Sequence, residues 1–355
     1  MARGPGPAPG SVSLMLEQAS APLASLTTLR VGGPARRMVT ATSEQEIIET
    51  VTDCDRRGEP LLILAGGSNL LIGDDGFDGT VLKIATTGVA KQKTCSGLRL
   101  GVAAGHDWDA FVAEAVDLGA VGVEALSGIP GSAGATPIQN VGAYGQEVAQ
   151  TIASVRVWDR VLKGMRTFAA ADCGFGYRTS RFKADPGRHV VLDVVFQLRQ
   201  GELGSPVEYA ELGRSLGVDL GARVPTADVR DAVLALRRSK GMVLDPADHD
   251  TWSAGSFFTN PVVAAEVLPD GAPAWPQPDG RVKTSAAWLI EHAGFGKGYG
   301  AGPARLSSKH TLALTNRGDA TTHDLLSLAR EVRDGVEQRF GIRLVNEPVL
   351  VGCEL

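Results

Sequence analysis

Cysteine is scarce in this chain. Cys54, Cys95, Cys173 and Cys353 lie far apart and form no C-x-x-C pair. That spacing argues against a disulfide framework and a thiolate zinc site, and it suits reduced thiols in a cytoplasm. No run of about eighteen apolar residues occurs, so no membrane-spanning helix is expected. The opening MARGPGPAPGSVS is rich in Gly, Pro and Ala without a long apolar core. It reads as a disordered tail, placed over residues 1–20, and not as a signal peptide. His106, His189, His249, His292, His310 and His323 form no ligand-spaced pair, and H-E-x-x-H is missing, so no metal site is expected. G-x-x-x-x-G-K-[ST], G-x-S-x-G and a G-x-G-x-x-G after a strand are also missing. P-loop NTPase, α/β-hydrolase and Rossmann-type dinucleotide readings lose ground accordingly. Basic excess is lacking too: 35 Lys+Arg stand against 40 Asp+Glu, a formal charge of -5. No nucleic-acid partner is expected, and an anionic substrate would need locally placed cations.

Glycine is abundant, at 44 of 355 residues. That exceeds the usual ~7% and, without a collagen period, implies tight turns and close backbone approaches to a ligand. Hydrophobic residues at 43% and charged residues at 21% fit an ordinary soluble globular protein.

Three units follow along the chain. Ser43-Glu44-Gln45-Glu46 forms a capping box; Ile47, Ile48, Val51 and Cys54 share a helical face; Gly58 ends the helix. Leu61–Leu64 reads as a buried strand that stops at Ala65-Gly66-Gly67-Ser68-Asn69, the strand-end position where α/β sheets bind ligands. In the second unit, Asp107 caps a helix bearing Trp108, Phe111, Val112 and Ala115, closed by Gly119. Seven glycines then fall between 119 and 145, and strands are expected around Ser154–Trp158 and Val190–Leu198. In the third, Thr226 is expected to cap a helix with Val229, Ala232, Val233 and Leu236 on one face. Pro269–Gly280 reads as an exposed loop, residues 321–340 as an amphipathic helix stopped by Gly341, and Ile342–Gly352 as a final strand. The fold class is α+β, divided at 21–85, 86–204 and 205–355.

Several segments carry two readings each. The loops Ala65–Asn69 and Ser127–Ser132 with Gln139–Gly145 either cradle a phosphate with backbone amides or are simply tight turns. An Arg in Gly176-Tyr177-Arg178-Thr179-Ser180-Arg181-Phe182 either holds a carboxylate or lies on a solvated strand edge. Ser256, between Gly255 and Phe257-Phe258, is a proton donor aimed at a cavity or a turn serine. Glu347 sits between Leu344-Val345 and Val349-Leu350-Val351, where it is either buried and paired or on an edge facing water, since Pro348 suggests an edge. Lys240, in the helix end Arg237-Arg238-Ser239-Lys240-Gly241, reads as a C-terminal cation favoured by the dipole.

Taken in order, T-T-L-R-V-G-G-P-A (27–35), G-G-S-N-L-L (66–71), I-P-G-S-A-G-A-T-P-I-Q-N-V-G-A-Y-G (129–145), G-Y-R-T-S-R-F (176–182), A-G-S-F-F-T-N-P (254–261) and E-P-V-L-V-G (347–352) closely resemble the UDP-N-acetylenolpyruvoylglucosamine reductase family. The resemblance covers nearly the whole chain. It implies a two-part FAD-binding region of the vanillyl-alcohol-oxidase (PCMH) type followed by an α+β substrate-binding domain, whose last strand returns to the active site. It also implies the reaction: NADPH reduces FAD, and the reduced flavin reduces UDP-N-acetylglucosamine enolpyruvate to UDP-N-acetylmuramate for peptidoglycan. By position, Arg178, Ser256 and Glu347 match the family's catalytic residues. Tyr209, Lys240 and Asn260 match substrate-binding positions. Gly66, Gly67, Ser68, Asn69 and Leu70, with Ile129, Pro130, Gly131, Ser132, Gln139, Asn140, Gly142, Ala143, Tyr144 and Gly145, match the FAD cradle. Two departures stand out. Ala65 replaces a usual Gly, and Asn346-Glu347-Pro348 replaces Pro-Glu-Val, with Pro348 expected to shift the strand. A cytoplasmic monomer acting on a small molecule is the resulting expectation. An FAD oxidase of the same fold, or a UDP-sugar-binding module without FAD, are the competing readings.

Overall fold

The computed structural model describes residues 16–355. Of the tail expected over 1–20, residues 1–15 lie outside the described part. The remainder is not a tail: β1 (Leu16–Pro22) pairs antiparallel with β2 (Pro34–Ala41). The cause is a small apolar seam, in which Ala21 and Leu23 pack with Ala35, Leu64, Ile72 and Val81. The capping box holds as read: Ser43 Oγ accepts from Glu46 N, and Glu46 accepts from Ser43 N at 3.2 Å. It opens α1 (Glu44–Arg57), and Gly58 closes it at φ 62°. β3 (Leu61–Leu64), β4 (Leu70–Ile72) and β5 (Phe77–Ile84) follow. The first sheet runs β1-β2-β5-β3, with β2 and β3 parallel to β5; β4 leaves it.

The second unit contains β6 (Val89–Thr94), β7 (Gly97–Ala103), α2 (Trp108–Asp117), β8 (Ala120–Val121), β9 (Gly142–Ala143), β10 (Gln146–Glu147), β11 (Ile152–Asp159), β12 (Gly164–Ala169), the one-turn α3 (Arg181–Ala184) and β13 (His189–Gln200). Its sheet is antiparallel, in the order β12-β11-β13-β7-β6, with β8 on the far end of β13. Asp107 caps α2 through Ala110 N at 2.8 Å. Trp108 and Phe111 then pack on Phe196, with ring centroids 5.8 and 5.0 Å away. Ile47 and Val51 of α1 and Leu82 of β5 join this same core, so α1 fastens the two sheets together.

The remaining chain adds α4 (Ala210–Leu216), α5 (Thr226–Ser239), β14 (Val262–Val263), β15 (Ala274–Pro276), β16 (Val282–Thr284), α6 (Ala286–His292), β17 (Ala304–Leu306), β18 (Leu314–Asn316), α7 (Thr322–Phe340) and β19 (Val349–Val351). Three readings are corrected here. Pro225, not Thr226, occupies the N-cap of α5, with an extended ψ of 140° and no side-chain cap bond; Thr226 is already the first helical residue and is buried, so its hydroxyl stands one position too far in to cap. The Pro269–Gly280 segment contains β15, whose backbone pairs with β16 while its side chains stay exposed and show no apolar pattern. Of the expected strand Ile342–Gly352, only Val349–Val351 is a strand, parallel to β4; Ile342 and Leu344 instead enter the core below it. α7 ends at Gly341 with φ 67°.

Beyond residue 205 the chain feeds two cores. Val207, Leu212, Val229 and Val233 pack on Ala125 of the second unit. Phe257, Phe258, α6 and α7 pack on Leu29, Val31 and Leu71 of the first. The β4–β19 ladder therefore runs where the last core meets the glycine loop. No helix among the described residues is long and apolar enough to cross a membrane.

Candidate active site

The two glycine loops lie backbone against backbone. A Cβ on Gly66 would fall 2.6 Å from Gly131 Cα, and one on Gly131 would fall 2.8 Å from Ser68 Oγ. Gly67 has φ 59°, and a Cβ there would lie 1.9 Å from Leu26 O. Only glycine meets both demands, a left-handed backbone and no side chain. Ala65 is not among the positive-φ residues, so its Cβ is tolerated where the resemblance has Gly. Trp108 N donates to Gly131 O at 3.1 Å and Thr28 N to Gly67 O at 3.2 Å, so both loops are anchored from outside. Gly128 N donates to Asp109 at 2.6 Å, and Arg230 grips that carboxylate with two bonds at 2.6 and 2.9 Å. Burial raises the Asp109 pKa, but Arg230 and the Gly128 amide outweigh it and hold the carboxyl below its ordinary value. Sequence reading missed this clamp. Ser132 Oγ is buried without a partner among the described residues. Ile129 and Pro130 are half-buried beside it, and Leu70 begins β4.

Gln139–Gly145 leads into a hairpin of β9 and β10. Its two-residue turn, Tyr144 (φ 50°) and Gly145 (φ 88°), has both φ values positive, the handedness that matches strand twist. Asn140 spends its amide on the protein: Nδ2 donates to Glu147 at 2.7 Å and Gly176 O at 3.1 Å, and Oδ1 accepts from Ala149 N at 3.1 Å. It ties the hairpin to the turn that carries Arg178. Gly142 O and Ala143 form the strand facing that turn.

Arg178 lies in the left-handed region at φ 52°, inside a tight Gly176–Thr179 turn. Its Nη2 donates to Gly142 O at 2.9 Å, and its Nε approaches Glu347 Oε1 at 3.1 Å. Gln139 Nε2 reaches the same Glu347 oxygen at 3.4 Å, and Asn69 Nδ2 donates to Gln139 Oε1 at 2.8 Å. A chain of polar contacts thus runs from the first glycine loop to Arg178 through Gln139 and Glu347. Lys183 Nζ donates to Arg178 O at 3.1 Å. Sequence reading missed Lys183, although it follows the basic-aromatic motif by one residue. Of the two readings of Glu347, the structure selects burial with a partner, its side chain being 14% exposed. Burial pushes its carboxyl pKa above the ordinary value, against the opposing pull of Arg178 and Lys183. Pro348 costs no ladder bond: the amides used are Glu347 N to Phe257 O at 2.8 Å and Val349 N to Asn69 O at 3.0 Å.

Ser256 follows Gly255 (φ 73°) and precedes Phe257 and Phe258, which are fully buried. The Phe258–Asn346 bridge is antiparallel, so Phe257 faces Glu347 and Ser256 faces Pro348. Ser256 therefore stands one residue along from Glu347 on the neighbouring segment. Asn260 Oδ1 accepts from Ala286 N at 3.0 Å at the start of α6. A cavity of about 540 Å³ is lined by Arg178, Lys183, Tyr177 and Asn260 among others.

Tyr209 and Lys240 gather at a different place. Tyr144 and Tyr209 meet edge to face at 5.4 Å, and Lys240 Nζ lies 5.6 Å from the Tyr144 ring centroid. Lys240 also pairs with Glu211 at 2.5 Å. His310 lies close by; burial, reinforced by Lys240 and Lys297, pushes its pKa down to about 4. Burial likewise raises the Tyr144 phenol to about 12. Both are therefore neutral near pH 7; the charges around them include Lys240, paired with Glu211, and Arg237, which acts on Tyr144 and His310. Glu211 and His310 carried no sequence signal, since each becomes relevant only through tertiary proximity.

A family model described as FAD binding domain matches residues 35–162, and one described as UDP-N-acetylenolpyruvoylglucosamine reductase, C-terminal domain, matches residues 245–351. The chain is 61% identical over 338 residues to the UDP-N-acetylenolpyruvoylglucosamine reductase of Cutibacterium acnes, covering 94% of this chain and 90% of that protein. The enzyme of that name from Thermobifida fusca is 59% identical over 351 residues, covering 94% and 98%. Among solved structures, UDP-N-acetylenolpyruvylglucosamine reductase from Thermus caldophilus superposes with a TM-score of 0.65 at 25% identity, covering 95% of this chain and 99% of that one.

Proposed function

Since this chain belongs to the UDP-N-acetylenolpyruvoylglucosamine reductase family, we propose that it is an FAD-containing, NADPH-dependent reductase that converts UDP-N-acetylglucosamine enolpyruvate to UDP-N-acetylmuramate. The observation that carries this reading is the polar chain Asn69–Gln139–Glu347–Arg178, which links a glycine cradle to a half-buried cation and a buried acid. The cradle residues suit FAD. Gly66 and Gly131 let the two loops close on each other backbone to backbone, and the Ser132 hydroxyl on the second loop, buried without a partner among the described residues, needs an acceptor. Gly66–Leu70, Ile129–Ser132 and Gln139–Gly145 are the segments that would hold it.

FAD, when bound, supplies hydride transfer, taken from NADPH and delivered to the terminal carbon of the vinyl ether. Negative charge then grows on the carbon beside the substrate carboxylate. Arg178 answers it with a fixed cation whose orientation is set by Gly142 O and Glu347. Burial raises the Glu347 pKa and so favours the protonated form, the form able to donate a hydrogen bond to the same charge. Ser256 hands a proton to that same charged carbon and regains one from solvent, so one hydride and one proton are added across the double bond. A free hydroxyl is a weak acid, so the position of Ser256 beside Glu347 has to supply the effect. Lys240, with Tyr209, takes the diphosphate; Asn260 lies on the cavity wall, where it orients the substrate.

On this reading residues 21–85 and 86–204 hold the flavin, and 205–355 hold the substrate. The protein works as a cytoplasmic monomer in peptidoglycan precursor synthesis, and so in cell shape, division and the cell cycle. Anaerobic mixing tests it: NADPH should bleach a yellow protein, and the enolpyruvyl substrate should restore the colour. Ser256→Ala should bleach normally yet recover severalfold more slowly or worse; recovery at the parent rate would reject the role of Ser256. A colourless protein, or one indifferent to NADPH, would reject the whole assignment.

A further inference from the structure

Beside α3, which begins three residues after Arg178, lies a second cavity, of about 280 Å³. Its walls are Arg166 and Phe168 of β12, Arg181 and Asp185 in and after α3, and Arg188 and His189 at the start of β13. None of these residues belongs to the reductase site described above.

The charges around it are unbalanced. Arg188 is already committed: it pairs with Asp159 at 3.1 Å and Asp185 at 3.3 Å. Asp159 is fully buried and also accepts from Val161 N and Leu162 N at 3.0 and 3.1 Å, so it has nothing left for the cavity. Arg166 and Arg181 make no ion pair among the described residues. Both guanidiniums lie over one ring, that of Phe168, at 5.2 and 4.4 Å from its centroid. Phe168 is itself buried, held edge to face by Phe182 at 5.8 Å and His189 at 5.4 Å. Two like charges are therefore held beside a common aromatic floor at the mouth of one concavity, with their hydrogen-bond donors unspent.

We propose that this cavity binds a phosphate monoester. Two uncommitted guanidiniums match a group bearing ~2 negative charges near neutrality and three acceptor oxygens; a carboxylate, with one charge, would neutralise only one of them. The volume sits near the lower bound of small-molecule pockets, ~300 Å³, so the ligand is a phosphate on a sugar-sized body and not a dinucleotide. The occupant also reaches the reductase site. Arg181 opens α3, the four-residue helix whose N-cap Ser180 donates to Ile138 O at 2.5 Å. Lys183 of that helix holds Arg178 O at 3.1 Å. A ligand that draws Arg181 toward itself moves the one-turn helix that positions Arg178, so binding modulates substrate turnover.

The test is calorimetric titration of the flavin-loaded enzyme with inorganic phosphate, with acetate at equal ionic strength as control. Lys240→Gln removes the cation of the diphosphate site; Arg166→Gln with Arg181→Gln removes the proposed one. Flavin content and melting temperature verify that each variant is folded. The expected result is phosphate binding, absent with acetate, that survives Lys240→Gln and weakens at least tenfold in the double arginine variant. Phosphate should also change the rate of flavin reoxidation by the enolpyruvyl substrate in the parent and not in the double variant. Unaltered phosphate binding in the double variant, no binding to the parent, or binding lost only with Lys240 would each overturn the site. Binding with no effect on reoxidation would overturn the coupling. None of the binding outcomes depends on the protein's being a reductase, so the two readings fail separately.

Discussion

Gly66→Ala probes the cradle most directly. The new Cβ would meet Gly131 Cα at 2.6 Å, its carbonyl carbon at 3.1 Å and its nitrogen at 3.4 Å. Ordinary carbon contacts sit near 3.5–4.0 Å, so the loops must part by about 1 Å. Neither side yields easily, because the obstacle is backbone, pinned by the Trp108 N bond to Gly131 O and the Asp107–Ser132 bridge. Overpacking of this kind costs roughly 1–3 kcal/mol. At ~1.4 kcal/mol per factor of ten, the dissociation constant for FAD should rise about 5- to 150-fold if the cost falls on the flavin-bound geometry. Gly302→Ala is the control: no atom lies within 4 Å of its added Cβ and its φ is not positive. It should change stability by less than ~0.5 kcal/mol. Flavin fluorescence quenching on titration of the apoprotein measures the affinity, and melting of the apo and loaded forms shows where the cost falls. A Gly66→Ala protein that binds FAD within twofold of the parent would refute the claim that these two loops together hold the cofactor.

Three further outcomes are expected. Glu347 has a folded pKa raised above 4.5, so the stability linked to its proton is full below that value and is lost as pH rises through the folded pKa. Glu347→Gln cannot ionise, so its melting temperature should gain on the parent's as pH rises across that window; a constant difference would contradict the raised pKa. Lys183→Met frees the Arg178 carbonyl and loosens a left-handed turn, so flavin reoxidation by substrate should slow by ~10- to 100-fold, with partial rescue in Lys183→Arg. Equal rates in all three proteins would show that Lys183 does not position Arg178. Asp159→Ala strands two turn amides and two Arg188 donors, which should lower the urea unfolding free energy by ~1–3 kcal/mol; an unchanged midpoint would mean that the turn is held otherwise.

Some of this architecture was legible residue by residue. Ser43 and Glu46, Asp107, Gly58 and Gly341 each mark a helix end through a bond or a φ value settled within a few residues. The glycine runs at 66–67 and 128–131 marked close backbone approach for the same local reason. β1 was hidden by the Pro- and Gly-rich composition around it, and β15 by its exposed side chains. Both are strands because a partner backbone lies alongside, and the partner is not encoded in the segment itself.

What the sequence determined alone was the set of local devices: caps, left-handed turns, apolar faces, and ordered motifs sufficient to place the chain in its family. Only the tertiary structure decided how distant residues meet. The parallel pairing of β19 with β4 carries Glu347 beside Asn69, and the Phe258–Asn346 bridge sets Ser256 opposite Pro348, the next residue. It also showed that Pro348 is harmless, since the amides in use belong to its neighbours. A cap or a turn is stabilised within a few residues of itself, whereas a site assembled across hundreds of residues is held by burial and shape, which no short stretch of chain contains.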